Sequence, residues 1–369
     1  MSYQKIRLRE EEWTVARPAY ETLYEKIRRE IVSGDYPCGS RLPGKRALAE
    51  RSGVSVITAA HALELLAEEG YIESRERSGN YVIYSPTDRF RAQEAVLDPP
   101  VLPDAPVSAE VDGFPFSVLA RTMRRVLTEQ EGNILQKTPG QGALFFRQAL
   151  SRYLARSQGI HADPDQIVIG AGAEYLYGLI VDVLGRDRAW AIEYPSYEKI
   201  EQVYTARGIT PERLPLTREG LRSDALWNCD ASVLHVSPYR SYPTGVTASA
   251  SRRAEYLRWA EEKNRLLIED DFESEFSIQR KPMDPLFVLS ARENVIYLNT
   301  FSRTLSPAFR VGYMVLPKRL VPLYRERAGF YSCTVPAFEQ YVLTELINSG
   351  DFERHIRRVR RSLRAAAGD

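Results

Sequence analysis

The sequence is poor in the residues that build metal centres and covalent staples. Four histidines (His61, His161, His235, His355) and three cysteines (Cys38, Cys229, Cys333) are scattered singly, without the short spacings of structural zinc. The expectation is reduced thiols, a cytoplasmic home and no metal. Long apolar runs are missing too. None approaches the roughly eighteen residues of a membrane span, and the N-terminus, MSYQKIRLREEEW, is charged from the start. This reads as a chain neither secreted nor in contact with a membrane. An excess of one charge is also lacking: 50 Lys and Arg stand against 49 Asp and Glu, for a net charge of +1. Any nucleic-acid binding must therefore come from a local surface. There are no internal repeats and no low-complexity tract.

What is present is a globular composition. With 369 residues, 44% hydrophobic and 27% charged, the chain can build two or three domains with real cores. Residues 19–33 place Leu23, Ile27 and Ile31 on one helical face and stop at Gly34, which predicts an amphipathic helix. The stretch LPGKRALAERSGVSVITAAHALELLAEEGYI predicts helices over about 44–51 and 55–69. They are joined by the tight Ser52-Gly53-Val54 turn, and Ser55 is placed to cap the second. Two short strand-like runs, YIESRER and YVIY, flank Ser78-Gly79-Asn80 and predict a wing.

A helix-turn-helix of this kind meets base edges with the start of its second helix while neighbouring groups hold phosphates. Arg41, Lys45, Arg46, Ser55, Thr58, Arg75, Arg77 and Gly79 are the candidate DNA contacts. The footprint is not overtly basic, since residues 1–90 carry fourteen basic and fourteen acidic side chains. A small helical domain with a solvated charged face would show the same pattern.

From Ser85 to about Asp112 the chain is rich in proline and aperiodic, as an interdomain linker is. Beyond it, apolar runs (IVIGAG, AWAIEY, ASVLHVS, LLIEDD, VIYLNTF, VGYMVL) alternate with helical patterns such as 142–157 and 251–263. This predicts an α/β domain with a largely parallel sheet and ligands at the carboxyl ends of its strands. The expected divisions are 15–84, 85–112 and 113–369.

Four pieces of the α/β region read together. GAGAEYLYG (170–178) is a Gly-rich turn between a strand and a helix, able to hold an anion on backbone N–H groups. SPYRSYPTG (237–245) is a second loop after a strand, IEDDFESEF (268–276) ends a strand in carboxylates, and YLNTFSRTLSPAFRVGYMVL (297–316) supplies hydroxyls and arginines. Taken singly, each also has a purely structural explanation.

The N-terminal stretch resembles the winged helix of GntR-type regulators. Leu42-Pro43, Arg46, Leu48-Ala49, Gly53-Val54-Ser55, Glu69-Gly70-Tyr71-Ile72 and Ser78-Gly79 match that pattern in order. Gly44 and Val56 stand where the family usually has Ser and Arg. The α/β part, with FPF at 114–116, resembles the fold-type I aminotransferase domain of the MocR-like subfamily.

That resemblance implies double-stranded DNA, read as paired half-sites by a homodimer, and a pocket for pyridoxal phosphate. The phosphate would lie on Ala171, Gly172, Ala173, Thr300, Ser302 and Arg310. Tyr197 would stack on the ring, Asp270 would pair with the ring nitrogen, and Tyr242 would lie along the ring edge.

Three departures are visible. The family pattern reads Ser-Lys-Thr where this chain reads Ser302-Arg303-Thr304. That lysine forms a Schiff base with the cofactor aldehyde, whereas a guanidinium stays protonated and cannot. Phe272 replaces a tyrosine, and the chain ends in what should be the helix leading to a small domain. The resulting expectation is a regulator whose transferase-like domain serves for dimerisation and for sensing a small anionic effector. It would be catalytically inactive and hold pyridoxal phosphate at most non-covalently. Arg303 would then face outward, pair with a carboxylate such as Asp270, or recognise another anion. A purely structural domain and a working aminotransferase are the competing readings.

Overall fold

The computed structural model describes residues 18–75, 78–84, 113–277 and 283–367. It divides into two compact units, 1–105 and 106–369. Arg77 and the expected linker at 85–112 lie outside the described residues.

The first unit contains α1 (Ala19–Val32), α2 (Lys45–Ser52), α3 (Val56–Glu68) and the antiparallel pair β1 (Ile72–Arg75) and β2 (Gly79–Val82). Leu23, Ile27 and Ile31 of α1, Leu48 of α2, and Ala59, Ala62, Leu63 and Leu66 of α3 close one core with Leu42, Ile72 and Val82. Gly53 ends α2 at φ +63, a left-handed cap that glycine accepts without steric cost. Ser55 accepts the Thr58 amide at 3.0 Å and starts α3. The helix-turn-helix and its wing thus follow the periodicity and punctuation of the sequence.

In the second unit an eight-stranded sheet runs in the order β3-β10-β9-β8-β7-β4-β5-β6. Its strands are β3 (Ile167–Gly170), β4 (Trp190–Tyr194), β5 (Glu212–Thr217), β6 (Gly220–Leu221), β7 (Val233–Val236), β8 (Leu266–Asp270), β9 (Val295–Thr300) and β10 (Gly312–Val315). The helices are α4 (Phe116–Gln130), α5 (Leu144–Ser157), α6 (Ala173–Leu184), α7 (Glu198–Ala206), α8 (Ser223–Asn228), α9 (Ala250–Glu262), α10 (Leu286–Leu289), α11 (Val321–Arg327), α12 (Ala337–Asn348) and α13 (Asp351–Ala367).

The neighbours β9-β8-β7-β4-β5 are parallel, while β10 runs antiparallel to both β3 and β9. The pairs made by β10, and that of β6 with β5, are the exceptions to the parallel expectation. Strands β5 and β6 have no counterpart among the apolar runs read from the sequence. Glu212 and Arg213 are exposed and Pro215 lies within β5, a composition that fits the rim of a sheet, where one side needs few partners.

Alternation along the inner strands builds the layers. On β10, Tyr313 and Val315 pack with Phe146, Tyr153 and Leu343 on one face, and Met314 packs with Leu176 and Ile180 on the other. A period of two delivers successive side chains to opposite faces, so both faces are apolar and both are covered by helices.

Candidate functional site

In the winged helix, the Ser55 and Thr58 hydroxyls lie 2.8 Å apart and serve the start of α3. Lys45 and Arg46 are exposed on the first turn of α2. Arg41 bridges to Tyr81 on the wing. Its guanidinium lies against Gly79, where φ is +110 and an added Cβ would come within 2.9 Å of Arg41 Nε. Arg75 is held by Glu73 at 2.9 Å and stacks over the Tyr81 ring at 4.7 Å. Five of the residues singled out in the sequence thus meet in two small clusters, Ser55 and Thr58 at the helix start and Arg41, Arg75 and Gly79 on the wing.

In the α/β unit, register gathers the loop ends. Gly312 opposes Thr300 on one side and Gly170 on the other, so the end of β3, the end of β9 and the start of β10 lie together. A Cβ at Gly312 would sit 3.2 Å from both Asn299 O and Thr300 Cγ2, so a side chain there would crowd the neighbouring strand. Asp270 closes β8 opposite Leu298, one strand further along.

After β3 the chain turns into α6 through Gly172, with φ 84 and ψ 177, a conformation essentially reserved for glycine. The Arg310 guanidinium covers this turn: a Cβ on Gly172 would lie 3.2 Å from Nη2. Arg310 also reaches Glu174 at 3.4 Å. The Ala171 amide donates to Thr334 Oγ1 at 3.0 Å, and that of Gly172 donates to Gly170 O at 2.8 Å. Ala173 opens α6, so its amide has no acceptor within the helix. A cation over a helix N-terminus makes a local field suited to an anion.

Asp270 is buried. Its Oδ2 accepts a short hydrogen bond from the Tyr177 hydroxyl and lies 3.5 Å from His235 Nε2. His235 Nδ1 in turn lies 2.7 Å from the Tyr204 hydroxyl. Asp270 Oδ1 has no hydrogen-bond partner among the described residues. A buried acceptor left open in this way is costly unless a donor can reach it. Burial, and then the Asp270 charge, hold the Tyr177 and Tyr204 hydroxyls far above the ordinary phenol range. Both phenols therefore keep their protons and can act as donors.

Tyr197 and Tyr242 stand edge to face, centroids 6.0 Å apart. Burial raises Tyr197 first. Glu174 and Asp270 add to the rise and Arg310 opposes it, which puts the candidate ring and phosphate groups within one another's field.

Of the alternatives open for Arg303, the structure shows the pairing with a nearby carboxylate, and that carboxylate is Glu273 and not Asp270. Arg303 Nε lies 3.1 Å from Glu273 Oε1, off the line a hydrogen bond needs. Arg240 Nε approaches the other oxygen, Oε2, at 3.4 Å. Asp270 turns its Oδ2 to Tyr177 and His235, while the nearly buried Glu273 is the carboxylate set between two guanidinium groups. Ser302 Oγ is turned to Phe309 O at 3.4 Å.

Tyr177, His235, Tyr204, Glu273 and Arg240 were not singled out from the sequence. The available signal was a lone histidine inside the fully buried run VLHV, since a buried polar group implies a partner. Among the described residues no group of three His, Cys, Asp or Glu could hold a metal ion, and no helix is long and apolar enough to cross a membrane.

A winged helix followed by a mostly parallel sheet with a glycine turn into a helix at the end of a strand defines a class, the fusion of a DNA-binding module with a fold-type I transferase-like domain. Residues 19–82 match the family model of bacterial regulatory proteins of the gntR family, and residues 108–367 match that of aminotransferase class I and II. The chain is 31% identical over 359 residues to the HTH-type transcriptional regulator YdeL of Bacillus subtilis, covering 94% of this chain and 77% of that protein. It is 28% identical to the probable rhizopine catabolism regulatory protein MocR of Rhizobium meliloti, covering 93% and 74%. An archaeal alanine:glyoxylate aminotransferase superposes with a TM-score of 0.60 at 25% identity, over 66% of this chain and 62% of that one. The chain thus spans less than two thirds of that enzyme. It belongs to the MocR-like branch of the GntR regulators, a family of HTH-type transcriptional regulators with an aminotransferase-like domain.

Proposed function

We propose that this regulator senses pyridoxal phosphate, held without a covalent bond, and that its transferase-like domain does not turn over amino groups. The observations that support the reading are an open buried carboxylate oxygen and a glycine turn under an arginine, near a residue 303 that offers no amine for a covalent link. Asp270 Oδ1 is buried and without a hydrogen-bond partner among the described residues, and Arg310 covers the Gly172 turn. These features fit a ligand with a ring N–H at one end and a phosphate at the other.

When bound in an aminotransferase, the cofactor supplies an electron sink for carbanion chemistry. The residues here account for binding and orientation. Arg310, the Ala173 amide, Thr300 and Ser302 would take the phosphate. Asp270, braced by Tyr177 and His235, would accept the ring N–H, with Tyr197 and Tyr242 on the faces and edge. Arg303 offers no amine, and its charge is engaged by Glu273. In this reading two copies assemble as a homodimer that sets two winged helices on paired DNA half-sites. Ligand binding changes that spacing or affinity.

The test is calorimetric titration of the full chain with pyridoxal phosphate, followed by borohydride reduction and peptide mass spectrometry. The wild type should bind and show no adduct at position 303, Arg303→Lys should acquire one, and Asp270→Ala should bind more weakly. An absence of binding by both wild type and Arg303→Lys sinks the proposal.

A further inference from the structure

The reading end of α3 is apolar. Val56 and Ile57 open the helix with 41% and 83% of their surfaces exposed, while Ala59, Ala62, Leu63 and Leu66 fill the core behind them. The outward residues of the first two turns are Val56, Ile57, Ala60 and His61. None is the Arg, Lys, Asn or Gln that grips a purine edge through two hydrogen bonds. The hydroxyls of Ser55 and Thr58 are engaged with each other and with the helix start. What the helix can offer the floor of a major groove is methyl surface. Its flank is basic, with Lys45 and Arg46 exposed on α2 and Arg41 at the wing, as contact with phosphates requires.

The base edge complementary to a methyl surface is thymine, the base that presents a C5-methyl group in the major groove. We propose that Val56 and Ile57 are specificity-determining residues that read thymine methyls by van der Waals contact. Each half-site then places thymine, and not guanine, under the first turn of α3. This rests on the reading that the winged helix binds DNA.

The experiment is selection of the full chain against duplexes with a randomised core. It is followed by replacement of each enriched thymine, one at a time, with deoxyuridine, which removes only the methyl. The expected result is one or two positions per half-site at which uracil weakens binding about fourfold, from about 0.8 kcal/mol per buried methylene. Ile57→Ala, at an exposed position and so compatible with folding, should bind the thymine duplex more weakly and lose the difference between thymine and uracil. Equal binding of thymine and uracil duplexes by the wild type would overturn the inference while leaving DNA binding intact. So would an Ile57→Ala variant that keeps the full uracil penalty, or one whose only change is weaker self-association in sedimentation. No enrichment over the input pool would remove the DNA-binding reading itself.

Discussion

Replacing Glu193 with glutamine tests the electrostatics beneath the candidate site. Glu193 lies in β4, is 2% exposed, and accepts a short hydrogen bond from the Ser241 hydroxyl in the loop that carries Tyr242. Burial is the main cause that raises its carboxyl from 4.5 to about 8. Ser241 and Ser237 oppose the rise and Asp270 adds to it. Between these two values the folded protein keeps the proton that the unfolded chain has released. The unfolded state binds fewer protons there, so stability falls as pH rises. The contribution is fully present below pH 4.5 and lost through about pH 8.

Each pH unit in this window costs about 1.4 kcal/mol, so the ceiling between pH 5.5 and 8 is about 3 kcal/mol. Glutamine keeps an acceptor for Ser241 and has no proton to lose. Glu193→Gln should match the wild type at pH 5.5 and exceed it at pH 8, by several degrees in melting temperature at about 2 °C per kcal/mol for a unit of this size. Differential scanning calorimetry over that range is the assay. A difference that does not change with pH, or a variant destabilised more at pH 8, would mean that Glu193 is ionised in the fold, and the argument from burial would fall.

Leu66→Ala opens a cavity where Leu66, fully buried, packs on the three helices and wing of the first unit. It should cost about 3 kcal/mol, seen as an earlier melting transition and loss of DNA binding, with unchanged pyridoxal phosphate titration. Gly172→Val forces a side chain into the φ 84, ψ 177 backbone and against the Arg310 guanidinium. Strain of about 1–3 kcal/mol should lower the melting temperature and weaken pyridoxal phosphate binding about tenfold or more in calorimetry.

Much of this architecture is legible in the sequence because local signals agree with the fold. Gly53, Ser55 and the spacing of Leu23, Ile27 and Ile31 set the winged helix without any long-range information. The inner strands announce themselves as apolar runs because both of their faces are covered. β5 is silent for the opposite reason, since Glu212, Arg213 and Pro215 sit where few partners are needed. The direction of β10 is equally hidden, because an apolar run reads the same whichever way it is laid in the sheet.

At the site, glycines and loop composition point to the cradle. Its bracing does not show, because Tyr177, His235 and Asp270 come from α6, β7 and β8 and meet only after folding. The partner of Arg303 is hidden in the same way: Asp270 and Glu273 stand three residues apart in an acidic stretch, and only the fold decides which one lies against it.

The turn between β9 and β10 is fastened at both ends, by Thr300 and Gly312 side by side in the interior of the sheet. Residue 303 therefore hangs from a frame whose strand pairing is made by backbone groups and not by its own side chain. Lysine and arginine codons can differ by a single base, so the group offered at this point can change from a guanidinium to an amine in one mutational step while the strand pairing that carries it stays as it is.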